Sequence, residues 1–284
     1  MKTYSSLPQG EHLSQIACDL CGSRSFHPVW DCEEYRFVEC EGCGVHYQNP
    51  QPVQDELLLR YGEQYFAYER ENEASFLRLM LLGLQDVGFD DLVGAKDLKG
   101  SDKTFLDIGC ATGLLLDHQR SRGWAVKGVE VCRPSADYGR NSRGLDIWNG
   151  TLEEAQFPAE SFDVVHFSHL IEHLNSPMSF LREVGRILRP GGWAIVTTPN
   201  TDGWQARWFK AAWRSAIADH LYLFSRKNLK QALSKAGFHV ERVKTWGGLA
   251  LGAKPRWLKP FLDRLVKLLG TGDVMLMAAR KSIS

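Results

Sequence analysis

From residue 104 onward the chain alternates two spacings of apolar residues. Short apolar runs of strand length, at 104–108, 125–130, 145–148, 162–167, 193–198, 238–246 and 273–280, are bounded by glycine and polar turn residues. Between them, segments 112–122, 133–142, 177–188 and 226–236 carry apolar residues at helical spacing. Strands interleaved with helices predict an α/β fold, a mostly parallel seven-stranded sheet with helices on both faces.

Upstream of 104 the pattern changes twice. Residues 53–85 keep a helical period through Leu57, Leu58 and Tyr61 and then Phe76, Leu77, Met80 and Leu81, and 86–103 reads as a polar connection. Residues 17–50 have no such period. They are dense in cysteine, glycine and turn residues around short aromatic stretches such as Tyr35-Arg36-Phe37-Val38, and Pro50-Gln51-Pro52 closes them. The expected organisation is a small unit over 1–52 and a larger domain over 53–284, the latter with an insertion at about 200–224.

Composition narrows this further. A chain of 284 residues can bury a full core, and its 34 Lys and Arg balance 34 Asp and Glu, so no global field draws it to nucleic acid. No run of eighteen apolar residues occurs, and MKTYSSLPQGEH lacks the apolar core of a signal peptide. The seven cysteines are an odd number with four in two close pairs, which suits metal binding in a reducing, cytoplasmic setting better than a disulfide framework.

Cys18-x2-Cys21 and Cys40-x2-Cys43, eighteen residues apart, have the spacing of a four-thiolate zinc site. Gly22, Gly42 and Gly44 suit the tight turns that put two sulfurs on one ion. So small a unit cannot hold together by apolar burial alone, so the metal would supply its folding energy. Four thiolates leave no open position, which makes the expected Zn2+ structural. His46 reads as a turn or core residue, and Cys32, Cys110 and Cys132 as isolated buried thiols.

The stretch TFLDIGCATG, 104–113, runs from a strand into a glycine-rich turn, where backbone meets ligand in an open α/β sheet. It lacks the G-x-G-x-x-G spacing of a dinucleotide site and the Gly-Lys-Ser/Thr ending of a phosphate loop. Asp107 at the strand end suits a ligand with a positive group, and Glu130, ending the next strand, can accept from both hydroxyls of a ribose. A positive group together with a ribose points to S-adenosylmethionine. LDIGCATG, VKGVEV, GTLEEAQFPAESFDVVHFSHLIEHL and LREVGRILRPGGWAIVTTPN together resemble the class I S-adenosylmethionine-dependent methyltransferases, with their Rossmann-like fold, over about residues 60–245. The cysteine-rich start resembles that of a bacterial subgroup carrying an N-terminal zinc ribbon. The resemblance implies that Gly109, Cys110 and Gly113 form the loop beside the methionine part, Asp107 lies near its amino group and Glu130 on the ribose. Thr151 and Leu152 would lie by the adenine, and Ser168 and His169 would face the methyl group and the acceptor. Ala111 stands where the family commonly has a glycine, and Thr151 where it often has Asp.

The acceptor is read by elimination within that resemblance. No Asn/Asp-Pro-Pro-aromatic sequence follows the fourth strand, which speaks against amino methylation of adenine or glutamine, and no Pro-Cys or Thr-Cys dipeptide offers a thiol for attack on a pyrimidine. A small-molecule or glycan-precursor substrate remains, with a sugar or lipid-linked hydroxyl leading. An RNA methyltransferase gripping RNA by its ribbon is an alternative. However, Asp19, Asp31, Glu33, Glu34, Glu39 and Glu41 against Arg24 and Arg36 make a poor phosphate surface, so nucleic acid is not the expected partner. A non-catalytic interaction protein is a third reading.

Within DGWQARWFKAAWRSAIAD, 202–219, helical spacing puts Trp204 and Trp208 on one side and Arg207, Lys210 and Arg214 on another. They form either a platform for a sugar or a helix packed by its aromatics. His220 is the favoured general base, with His169 second, since a neutral imidazole can take a hydroxyl proton near pH 7. Glu172-His173 reads as structural or as pocket wall. Finally, 254–270 is a basic amphipathic helix, fit for membrane-surface contact, for covering a core or for a homodimer seam.

Overall fold

A computed structural model describes residues 12–94, 103–247, 266–267 and 269–283. Five strands open the chain, β1 (Leu13–Ser14), β2 (Phe26–Cys32), β3 (Tyr35–Cys40), β4 (His46–Gln48) and β5 (Gln51–Pro52). Three helices follow, α1 (Gln54–Leu58), α2 (Glu63–Val87) and α3 (Phe89–Leu92). The alternating region then runs β6 (Thr104–Ile108), α4 (Leu114–Ser121), β7 (Ala125–Glu130), α5 (Arg133–Arg143), β8 (Ile147–Asn149), β9 (Phe162–Ser168), α6 (Pro177–Ile187) and β10 (Leu188–Pro199). It closes with α7 (Trp204–Phe209), β11 (Tyr222–Leu223), α8 (Arg226–Lys235), β12 (Phe238–Trp246) and β13 (Val274–Lys281).

The seven strands expected from apolar spacing form one sheet in the order β12-β13-β10-β9-β6-β7-β8. All its neighbours pair in parallel except β13, which runs antiparallel to β10 and to β12. Adjacent residues on each strand serve opposite faces, so both faces are apolar. Leu106, Val165 and Val196 pack on the side of Leu181, Val184 and Leu229, and Phe105, Val164 and Ile195 on the side of Leu84, Val87 and Leu116. The chain leaves β6 toward β7 on one side and returns to β9 on the other. The resulting switch point lies beyond the carboxyl ends of β6, β7 and β9, where such sheets bind ligands.

Local chemistry sets the helix ends. Pro177 starts α6, where its missing N–H costs nothing. Ser225 and Asn228 form a capping box on α8, and Gly88 ends α2 in the left-handed conformation. β10 begins five residues before the apolar run at 193 and carries an irregularity between Leu188 and Trp193. The insertion departs from the single helix that spacing suggested: α7 stops at Phe209 and Lys210 takes φ +49°. Arg214 therefore leaves the expected basic face and pairs with buried Asp273, while Trp213 is buried against Trp30.

β2, β3 and β4 do not form a closed unit. β11, from the insertion, adds antiparallel to β4 with Tyr222 opposite Tyr47 and Leu223 opposite His46, making one four-stranded sheet β11-β4-β3-β2. The basic stretch at 254–270 lies, apart from Val266, Lys267, Leu269 and Gly270, outside the described residues. No helix among the described residues is long and apolar enough to cross a membrane.

Candidate active site

The first part of the site is the turn after β6. Gly109 and Cys110 donate backbone N–H groups to the Val129 carbonyl, which fastens the turn to the end of β7. Gly113 has φ +76°, a left-handed conformation that suits glycine at the start of α4, and a Cβ there would push on Leu145 Cδ1 at 2.4 Å. Ala111 holds φ +49° without being glycine, a left-handed conformation that costs a side-chain-bearing residue energy. The Cys110 thiol packs into the apolar cluster beside Phe105 and Leu116, so only its backbone is offered to a ligand.

Two buried carboxylates end the neighbouring strands. Asp107 bonds His166 Nδ1 at 2.7 Å across the β6–β9 pairing. Glu130 accepts the Ala111 N–H at 2.8 Å on one oxygen and the Cys132 N–H at 2.7 Å on the other. Each oxygen keeps a second lone pair, so the carboxylate can still accept two hydroxyls. Burial pushes its pKa up to about 7, against the pull of those two N–H groups. Gly150 ties the next loop to Glu130 through its N–H, which sets Thr151 and buried Leu152 beside β7. The Thr151 hydroxyl caps the Glu154 N–H. Two pocket features carried no sequence signal beyond a helical period. Burial, with the charges of Asp219 and then Glu130, raises the pKa of Tyr61, and burial, with those of Glu69 and then Glu130, raises that of Tyr65. Glu73 of α2 accepts from Thr112 Oγ1 and Arg143, both at 2.9 Å, latching that helix over the turn.

On the other side of β6 the end of β9 leads into a histidine-rich turn. Ser168 is the last strand residue. His169 follows with φ +52°, its N–H on the Thr197 carbonyl, and Leu170 packs against Gly109. His169 is half exposed, and its Nδ1 lies 3.1 Å from an oxygen of fully buried Glu172. Thr198 Oγ1 donates to the second oxygen of Glu172 at 2.8 Å. Burial alone would push the Glu172 carboxyl up, but the bond from His169 and the nearby His173 and His220 hold it at about 2. His220 is buried. Its Nδ1 donates to the Ser215 carbonyl at 2.8 Å, its ring lies 4.7 Å from that of His173, and burial lowers its pKa to about 4. Gln48, in β4, fixes this wall: its side-chain amide donates to the carbonyls of Ala218 and His220, both at 2.9 Å.

The four cysteines converge. Their sulfurs all lie within 4.8 Å of one another, with Cys18–Cys43 at 3.6 Å and Cys21–Cys40 at 3.4 Å. Sulfurs around one tetrahedral Zn2+ stand about 3.8 Å apart, so the set fits the ion. Both knuckles close on glycine: Gly22 donates to the Cys18 carbonyl and Gly44 to that of Cys40, each at 2.7 Å. His46 is not in the set; it bonds Glu39 and stacks edge-on with Trp30.

A family model described as a methyltransferase domain matches residues 84–243, more than half of the chain. The chain is 33% identical over 129 residues to the ubiquinone biosynthesis O-methyltransferase of Caulobacter vibrioides, covering 43% of this chain and 51% of that protein. It is 34% identical over 104 residues to the enzyme of the same name from Parvibaculum lavamentivorans, covering 35% and 41%. It thus spans about half the length, or less, of these curated relatives. A solved S-adenosylmethionine-dependent methyltransferase from Archaeoglobus fulgidus superposes with a TM-score of 0.55 at 17% identity, over 77% of this chain and all of that one, a likeness of fold.

Proposed function

Since the chain belongs to the class I S-adenosylmethionine-dependent methyltransferases, we propose that it transfers a methyl group from that cofactor to a hydroxyl oxygen of a small molecule. In this reading Gly109, Cys110 and Gly113 offer backbone to the cofactor, Asp107 and its partner His166 face the amino acid end, Glu130 takes the ribose, and Thr151 and Leu152 flank the adenine. Bound S-adenosylmethionine supplies a methyl group on a cationic sulfur, which departs as a neutral thioether. The chain itself supplies orientation and a place for the acceptor's proton.

One observation carries the choice of base: the His169–Glu172 pair at the end of β9. Glu172 accepts from Nδ1–H, so the lone pair of His169 sits on Nε2, on a half-exposed ring beside the glycine turn. A buried carboxylate behind an imidazole orients it and stabilises the imidazolium that forms on taking a proton. His220, favoured from sequence position, is buried and held down at about 4, a weaker base behind the wall. We therefore give the proton to His169. The exposed Trp208, with Phe209 beside it, supports a sugar-bearing or glycan-precursor acceptor. The names of the curated relatives favour a second class, a precursor of the ubiquinone kind.

The test is labelled cofactor with both acceptor classes, followed by identification of the labelled product. His169→Ala should lower turnover by about 10²–10⁴-fold with cofactor affinity unchanged. Less than a tenfold loss, with His220→Ala the more damaging, would return the role to His220.

A further inference from the structure

Behind His169 lies a cluster that proton transfer does not account for. Glu172, His173 and His220 each offer one ligand atom, and these atoms lie within 4.8 Å of one another. Glu172 and His173 are neighbours in the single 3-10 turn Ile171–His173. His220 comes from the wall loop, tied to that turn by the Leu221 N–H on the Glu172 carbonyl at 2.7 Å.

Three features of the cluster are those of a metal site. His220 Nδ1 donates to Ser215, which fixes the tautomer and leaves a lone pair on Nε2; ligating histidines are commonly fixed through their other nitrogen in this way. Nδ1 of His173 is buried and has no hydrogen-bond partner, a cost that a bound ion would remove. Glu172 is a fully buried carboxylate whose hydrogen bonds come from His169 and Thr198, and no lysine or arginine pairs with it among the described residues. Imidazoles alone balance this buried charge, and a bound cation would balance it more fully.

We propose that Glu172, His173 and His220 bind a first-row divalent cation of the Zn2+, Mn2+ or Fe2+ kind, distinct from the ion of the four cysteines. Two imidazoles and one carboxylate are a donor set such ions favour, and the ligands would draw in to about 3–4 Å of one another around bonds of about 2.1 Å. His169 and Thr198 become the outer partners that orient Glu172. Three protein ligands leave coordination positions open, as catalytic metal sites do. If the methyltransferase reading holds, an oxygen of the acceptor would take one of these positions, and the ion would make its proton easier to lose.

The test needs no knowledge of the acceptor. Full-length protein with zinc in its ribbon is titrated with Co2+, Mn2+ and Zn2+, and cofactor binding is measured by calorimetry on the same sample. One further equivalent should bind, with Co2+ showing the weak visible bands of nitrogen and oxygen ligation rather than thiolate charge transfer. Glu172→Gln and His173→Ala should each weaken that equivalent by more than about tenfold while ribbon metal and cofactor affinity persist. Folded wild-type protein that binds cofactor but takes up no second equivalent overturns the proposal and leaves the methyltransferase reading standing. So does a second equivalent that survives both substitutions. Loss of cofactor binding in the wild type would instead refute the methyltransferase reading.

Discussion

Glu130 gives the sharpest quantitative test of the cofactor pocket, because its ionisation should move affinity and stability in opposite directions. In the folded chain burial raises its pKa to about 7 from an ordinary value of 4.5. Only the carboxylate has a lone pair for each backbone N–H and another for each ribose hydroxyl. If the cofactor binds the ionised form, affinity follows the ionised fraction, about one tenth at pH 6 and nine tenths at pH 8, a gain of about tenfold. Stability has the other sign. A carboxyl whose folded pKa lies above its unfolded one stabilises most below pH 4.5 and loses that contribution as pH rises through 7. The loss is about 3 kcal/mol at the limit. In Glu130→Gln the amide nitrogen faces a backbone N–H, so one donor of Ala111 or Cys132 is left unpaired. This should cost about 1–3 kcal/mol of stability and, through the lost ribose contact, about 1.5–3 kcal/mol of binding at pH 8. Calorimetry with S-adenosylmethionine or its demethylated product at pH 6, 7 and 8, beside urea unfolding, reads both. A flat wild-type affinity profile, or a glutamine variant that binds as tightly at pH 8, would refute the assignment of Glu130 to the ribose.

Other expectations follow from single contacts. Gln48→Ala orphans the carbonyls of Ala218 and His220 and should cost about 2–5 kcal/mol in urea unfolding; a loss under about 1 kcal/mol would show that the wall holds itself. Because β4 pairs with β11, chelating the ribbon metal should lower hydrogen-exchange protection at 46–48 and 221–223 together. Unchanged protection at Tyr222 and Leu223 would mean that the sheet survives without the ion. Glu73→Ala removes the contact of α2 with Thr112 and Arg143 and should speed cofactor dissociation about fivefold in stopped flow, for a contact of about 1 kcal/mol; an unaltered rate would show that the latch is idle.

Much of the fold was legible because periodicity is a local signal. β6, β7, β9 and β12 fall where apolar spacing put them, as do α5, α6 and α8 to within two residues. The early start of β10 was hidden, since Arg189-Pro190-Gly191-Gly192 reads as a turn and is held in the sheet only by its neighbours. The insertion misled because helical spacing says nothing of a break such as that at Lys210. In the site, Asp107, Glu130 and the four cysteines announced themselves through strand ends and spacing. Gln48, Glu73 and Arg143 did not, because each acts across more than thirty residues of sequence on a partner that no local pattern names. The preference proposed for His169 over His220 rests on exposure and on which nitrogen is already engaged, properties that exist only once the chain is folded.

The pairing of β4 with β11 also bears on how the protein is made. Tyr47 meets Tyr222 about 175 residues further along the chain. At about 5–20 residues per second, a ribosome delivers the second strand roughly 10–35 s after the first. During that interval β2, β3 and β4 have emerged with one edge open and with Trp30, Phe37 and Tyr47 lacking the partners that later bury them. An open edge with apolar side chains invites pairing with another nascent chain. Early capture of zinc by Cys18, Cys21, Cys40 and Cys43 would keep the hairpins in register through the wait. Cells short of zinc should then lose this protein to aggregation during synthesis, while molecules already finished persist.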